Sequence, residues 1–200
     1  MAFTYFFRDR QTLEVIQDLV APKMRMRRYN HIWDAGCATG PEPYSLAIIL
    51  RENMGEMVFR NIKIHATDID DSDQFSDIIR QGIYPEEQVK RIPKEIFEKY
   101  FIREGMHGYF RIVDEIRKCI FFQQHDLLSL EPIYKDFVLI VCKNVLLHFK
   151  EQERINVIRM FYNSLVDGGL FVTEHTQKLP TEVSPLFDRV VSNAQMFQKV

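Results

Sequence analysis

An α/β domain with a mostly parallel central sheet flanked by helices is the fold class this sequence predicts, on three observations. Strand-like apolar runs near residues 31–33, 62–67, 137–141 and 170–173 alternate with helix-periodic stretches, the arrangement of βαβ units. Phe137-Val138-Leu139-Ile140-Val141 is apolar without alternation, as in a strand covered on both faces. The first strand also runs directly into Asp34-Ala35-Gly36-Cys37-Ala38-Thr39-Gly40 and then a helix, the opening of a doubly wound, Rossmann-like nucleotide fold.

Each element has its own signal. Leu13, Ile16, Leu19 and Val20 recur at spacings of three and four, which predicts an amphipathic helix over about 11–20. Residues 23–28 then place four basic side chains in six positions, a charged helix end or a partner surface. Pro41 and Pro43 suit the first turn of the helix after the glycine loop, where N–H groups have no intrahelical partner. A second strand over 62–67 ends in Asp68-Ile69-Asp70, and residues 72–101 read as short helices broken at Gly82, Pro85 and Pro93. Residues 107–122 alternate and predict a small antiparallel hairpin leading into a strand near 120–123. Ile155, Ile158, Tyr162 and Leu165 mark one side of a later helix. Asp167-Gly168-Gly169 reads as a turn before the strand at 170–173, and residues 187–200 as a final helix end and an edge strand.

Bulk composition narrows the function classes. Two hundred residues at 46% hydrophobic content fit a single domain over 1–200, able to bury a continuous core. A net charge of −2 provides no overall field to draw the chain to nucleic acid or an anionic membrane. Cys37, Cys119 and Cys142 form an odd set without C-x-x-C spacing, so neither a disulfide framework nor a zinc site is expected, and a reducing cytoplasm is the expected compartment. No stretch approaches the roughly 18 apolar residues that cross a bilayer. His31, His65, His107, His125 and His175 lack metal-ligand spacing, and no metal is assigned.

The glycine turn identifies a ligand class. Asp34-x-Gly36-x-x-x-Gly40 lacks the spacing of the dinucleotide fingerprint and the Lys-Ser/Thr of a phosphate-cradling loop. Asp68, at the end of the second strand, stands where a carboxylate accepts hydrogen bonds from ribose hydroxyls. Adenosine without a phosphate chain therefore fits better than a nucleotide. Glu42 is placed to meet a cationic amino group, with an ordinary first-turn helix acid as the competing reading.

Several further segments carry a resemblance. They are Thr4-Tyr5-Phe6-Phe7-Arg8, Gly36 to Ser45 with Glu42-Pro43-Tyr44-Ser45, Ala66-Thr67-Asp68-Ile69-Asp70, Gly82-Ile83-Tyr84, Tyr100-Phe101, Asp126-Leu127-Leu128, and Cys142-Lys143-Asn144-Val145 followed by Phe149. In order and spacing these resemble the CheR-type chemotaxis receptor methyltransferases, which convert receptor glutamates to methyl esters. The resemblance implies S-adenosyl-L-methionine as cofactor, S-adenosyl-L-homocysteine as product and a chemotaxis-type receptor or signalling protein as partner. It implies Thr4, Arg8, Glu42, Asp68, Asp126, Leu127, Cys142 and Lys143 around the cofactor, beside Asp34, Gly36 and Gly40 of the turn.

Departures from the family pattern bear on the acceptor. The motif containing Arg8 begins almost at Met1, so the family's separate N-terminal helical domain is expected to be missing, with a separate chain as its replacement. Pro41 stands where the family has an acid, Lys143 where it has an arginine, and His148 where it has a tyrosine. The small β-subdomain, placed at about 102–122, looks short for docking a receptor tail. Arg8, Lys143 and His148 are the expected catalytic residues. Arg8 offers a bidentate fork and Lys143 a mobile point charge. A glutamate acceptor, with a reference pKa of about 4.3, needs no base. His148, with a reference pKa of about 6.5, would serve a hydroxyl, phenol or amine acceptor, unless it only closes a helical turn. Two alternatives follow: a methyltransferase with a small-molecule or other protein acceptor and His148 as base, or a non-catalytic cofactor-binding signalling module. Cys142 ends an apolar strand and reads as buried and inert rather than nucleophilic.

Overall fold

The computed structural model describes residues 4–105, 108–176 and 178–200; His107 lies outside them. The first half of the chain forms α1 (Arg10–Arg25), β1 (Asn30–Ala35), α2 (Pro41–Asn53), α3 (Glu56–Phe59), β2 (Ile62–Asp68), α4 (Phe75–Gln81), β3 (Ile83–Pro85), α5 (Glu86–Val89) and α6 (Lys94–Tyr100). The second half forms β4 (Phe101–Arg103), β5 (Tyr109–Ile112), α7 (Asp114–Arg117), β6 (Ile120–Gln124), β7 (Phe137–Cys142), α8 (Glu151–Ser164), β8 (Leu165–Thr173), β9 (Phe187–Arg189) and β10 (Met196–Lys199). Short 3-10 turns lie at Leu127–Ser129 and Leu146–His148.

Seven strands make one sheet in the order β6-β2-β1-β7-β8-β10-β9. The pairs β1–β2, β2–β6, β1–β7 and β7–β8 are parallel, and β10 runs antiparallel to both β8 and β9. Strand side chains alternate between two cores: Ile32 and Leu139 pack with α1 and α2, whereas Trp33 and Ile140 pack with α8. From β1 the chain builds outwards through β2 to β6, then returns to add β7 on the other side. The carboxyl ends of β1 and β7 therefore flank a topological switch point, where open α/β sheets bind ligands.

The ends of two helices show how local sequence sets this geometry. Asp9 caps α1 by accepting from the Thr12 N–H at 3.3 Å. Gly40 precedes α2 at φ +99, with Pro41 at the first helical position. The basic run is partly used internally: Lys23 Nζ donates to the Gly168 carbonyl at 3.1 Å and Arg25 to the Asn53 carbonyl at 2.9 Å.

Four expectations change. The first helix continues through Pro22 to Arg25. The small sheet is larger than a hairpin over 107–122: its order is β3-β5-β4, so it recruits Ile83–Pro85 and starts its β4–β5 pair at Phe101, while β6 joins the main sheet. A distant segment supplied the extra partner, which alternation within 107–122 does not show. Asp167-Gly168-Gly169 lies inside β8, where the pairing with β7 steps from Phe137↔Leu165 to Leu139↔Leu170 and the extra residues are absorbed as a bulge. Finally, residues 187–189 form edge strand β9 rather than a helix end, because β10 turns back to pair with them. No helix among the described residues is long and apolar enough to cross a membrane.

Candidate active site

The switch point is built first from backbone. The N–H groups of Gly36 and Cys37 both donate to the Thr67 carbonyl, at 2.7 and 3.0 Å, which pins the glycine turn to the end of β2. Asp68 completes the pin: its Oδ2 accepts from the Ala38 N–H at 2.8 Å and its Oδ1 from the Asp70 N–H at 3.4 Å.

Two adjoining cavities open over this turn. The larger, about 490 Å³, is lined by Thr4, Arg8, Gly36, Ala38, Glu42, Asp68, Lys143, Asn144, Val145, Leu147 and His148. The smaller, about 200 Å³, is an apolar slot between Ile69, Leu127, Leu128, Val145 and Phe149, with His125 and Asp126 at its edge. Gly36, Asp68 and Val145 line both, so Asp68 stands at their junction. The arrangement fits S-adenosylmethionine part by part. An apolar slot with a polar edge suits a flat heteroaromatic ring, a carboxylate at the junction suits vicinal hydroxyls, and Glu42 in the polar chamber suits an ammonium.

Charge in the larger cavity is organised around Lys143. Its side chain is only 3% exposed, and its Nζ lies 3.3 Å from both Asp9 Oδ2 and Glu42 Oε2. Burial alone would push the ammonium down, but Glu42 and Asp9 outweigh it and raise the Lys143 pKa. Burial likewise works against the Asp9 carboxylate, yet Lys143 and the Thr12 hydrogen bonds hold it below its ordinary value. Lys143 is thus a fixed, doubly paired cation, not the mobile point charge expected from sequence.

Asp34 lies beneath, fully buried, with neither carboxyl oxygen accepting a hydrogen bond. Burial, and then the neighbouring Glu42 charge, raise its pKa well above the ordinary 3.8; Lys143 only partly opposes this. Burial beside Glu42 thus favours the neutral form of Asp34. A carboxyl whose folded pKa is raised contributes stability below its unfolded pKa and loses it as pH rises towards the folded value. Asp34→Asn keeps the shape of the neutral acid without the titration. In urea unfolding it is expected to be more stable than the wild type at pH 8, with the advantage shrinking towards pH 4; equal stability at both pH values would contradict a raised Asp34 pKa.

The structure brings together Thr4, Arg8, Gly36, Glu42, Asp68, Lys143 and His148 in one cavity, with Asp126 and Leu127 in the adjoining slot. Three expected residues do not line either space. Asp34 sits below the turn. Gly40 instead allows close packing, since a Cβ there would lie 2.8 Å from both Ile79 Cγ1 and Tyr84 Oη. The Cys142 thiol points into the α8-side core, and burial raises its pKa well above the ordinary range. Asp9, Asn144, Val145 and Leu147 were not anticipated. Of these, Asn144 had a readable signal: it adopts φ +60, which asparagine tolerates, while its N–H donates to buried Glu174 at 3.0 Å.

A doubly wound sheet with a glycine turn at its switch point, an acid ending the second strand and an apolar slot beside it defines a class, the nucleoside-cofactor domains of methyltransferase type. The chain belongs to the CheR methyltransferase family, whose S-adenosylmethionine-binding domain matches residues 2–195. It is 32% identical over 184 residues to a chemotaxis protein methyltransferase of Borreliella burgdorferi, covering 88% of this chain and 64% of that protein. With chemotaxis protein methyltransferase 2 of Pseudomonas aeruginosa it shares 33% identity over 177 residues, 87% of this chain and 62% of that one. The chain thus spans less than two-thirds of the length of these relatives. Among solved structures it is similar to an O-methyltransferase family protein from Burkholderia thailandensis, with a TM-score of 0.49, 13% identity, and coverage of 88% of this chain and 40% of that one.

Proposed function

We propose that this protein transfers a methyl group from S-adenosylmethionine to a glutamate carboxylate of a chemotaxis-type receptor in the cytoplasm. The observation that supports the reading is that Asp68 lines both the apolar slot, which suits a nucleoside ring, and the chamber that Arg8 also lines.

When bound, the cofactor would supply an electrophilic methyl carbon on a sulfonium, for transfer to a carboxylate oxygen with departure of a neutral thioether. The chain's own residues position the partners. Asp68 would accept from ribose hydroxyls while still holding the Ala38 N–H. Leu127, Leu128 and Phe149 line the slot that would take the ring. Arg8 meets the acceptor carboxylate with a guanidinium fork. Glu42 would receive the cofactor's ammonium and is kept in place by Lys143.

No residue in this scheme must remove a proton, because a glutamate acceptor is already ionised. His148→Tyr is therefore expected to retain turnover on a receptor fragment within about threefold; a loss of about 100-fold, the size of a general-base contribution, would instead indicate a protonated acceptor. The reading itself is tested by incubating the purified protein with methyl-tritiated S-adenosylmethionine and the cytoplasmic fragment of a chemotaxis receptor. Base-labile label on the receptor is expected. Label confined to small molecules, or none, would overturn it.

A further inference from the structure

Thr4 and Arg8 reach the larger cavity from a segment outside any helix or strand, bent through two non-glycine residues in the left-handed region, Phe7 at φ 56 and Asp9 at φ 54. Such conformations persist only where surrounding contacts impose them. Besides the Arg91 guanidinium, which lies over the Tyr5 ring at 5.7 Å from its centroid, three attachments do so. The Phe6 ring packs edge-on against Tyr84 and Phe101, with centroids 4.9 and 5.4 Å away. The Phe7 N–H donates to Ser45 Oγ at 2.8 Å, and that hydroxyl donates to the Pro41 carbonyl at 2.7 Å. The third is the ion pair between Asp9 and Lys143.

These attachments are not equivalent. Phe6 and Phe7 fasten the segment to the small sheet and to α2. Asp9 ties it to the end of β7, and it does so immediately after Arg8. The Asp9 carboxylate divides its oxygens: Oδ1 caps α1 through Thr12 and Oδ2 faces Lys143. Lys143 in turn meets Glu42 on α2, so one buried ammonium joins the segment, α2 and the end of β7.

We propose that Asp9 is a positioning residue whose ion pair with Lys143 holds the 4–9 segment, and with it Arg8, over the reaction cavity. The consequence for catalysis rests on the reading of that cavity given above; the clamp itself does not. Arg8 orients a carboxylate only if its backbone is fixed, and without the clamp the left-handed bend at Asp9 loses its partner across the cavity.

Two substitutions separate charge from capping. Asp9→Asn removes the charge but keeps a residue that tolerates left-handed backbone and caps helices as well as aspartate does. Asp9→Glu keeps the charge and loses the short cap. Amide hydrogen exchange on the whole protein without cofactor reads the clamp at the Phe7 N–H, with the β1 amides as the control for global unfolding. Asp9→Asn is expected to speed Phe7 exchange at least fivefold over any change at β1, whereas Asp9→Glu stays within fivefold of wild type. Adding Asp9→Asn to Lys143→Met is expected to give no further increase.

A smaller effect of Asp9→Asn, an equal effect of Asp9→Glu, or an undiminished effect in the Lys143→Met background would each overturn the proposal. In receptor methylation, kcat should fall at least fivefold in Asp9→Asn and recover in Asp9→Glu. A wild type that methylates no receptor leaves the exchange result standing and removes only the function proposed above.

Discussion

Asp68→Ala is expected to weaken binding of S-adenosylhomocysteine by at least about 100-fold in calorimetry. This carboxylate does two things at once. It accepts from the Ala38 N–H at 2.8 Å, which fixes the glycine turn, and it stands at the junction where the two cavities meet. A hydrogen bond to a charged group is worth about 1.5–3 kcal/mol, so losing one to the turn and at least one to the sugar removes about 3–6 kcal/mol. At about 1.4 kcal/mol per factor of ten, that is a loss of two orders of magnitude or more. Asp68→Asn keeps an oxygen for Ala38 but weakens both contacts, and about a tenfold loss is expected. Alanine binding within tenfold of wild type would show that the sugar is held elsewhere and that the cavity has been assigned to the wrong ligand.

Asp68 was legible because its neighbours along the chain carry the signal: an apolar strand, then an acid, following a glycine turn two elements earlier. The same holds for Gly36, and for Asp126 and Leu127 once several short motifs are taken in order. Asp9 was not legible as a site residue. Its capping of α1 is local, but its meeting with Lys143 depends on how a bent segment lies across the end of β7, and no spacing in sequence encodes that distance. Lys143 shows the converse. Its position next to the cofactor was readable, while its two acidic partners, which turn a mobile cation into a fixed brace, were not.

The fold divides along the same line. Strand β7 and the 170–173 part of β8 were legible because they are buried on both faces and read as apolar runs. The small antiparallel sheet was legible in its β4–β5 pair but not in β3, which is three residues long and finds its partner β5 more than twenty positions later. Asp167-Gly168-Gly169 misled for a related reason. Glycines at positive φ mark turns and bulges alike, and only the pairing with β7 distinguishes them.

Gly36→Ala tests whether the turn tolerates any side chain, and the expected answer is a large loss of stability. Two independent penalties meet there. The backbone sits at φ +101, where alanine is strained by about 1–3 kcal/mol. A Cβ would also lie 2.1 Å from Val145 Cγ2, an overlap that forces Val145 to move. Val145 follows Asn144, which is itself in the left-handed region and tied to Glu174, so the loop has little room to yield and about 1–3 kcal/mol of overpacking is added. The sum of about 2–6 kcal/mol corresponds to a fall in Tm of roughly 5–20 °C for a chain of this size. Val145→Ala removes the offending methyl, leaving the Val145 Cβ at 3.4 Å, an ordinary contact. In the Gly36→Ala background it should therefore raise Tm, recovering the steric share but not the backbone share. Gly55, with no atom within 4 Å of its notional Cβ, is the control, and Gly55→Ala is expected to change stability by less than about 0.5 kcal/mol. A Gly36→Ala protein as stable as the Gly55→Ala protein would mean that the turn has another conformation open to it, and that Val145 does not define the floor shared by the two cavities.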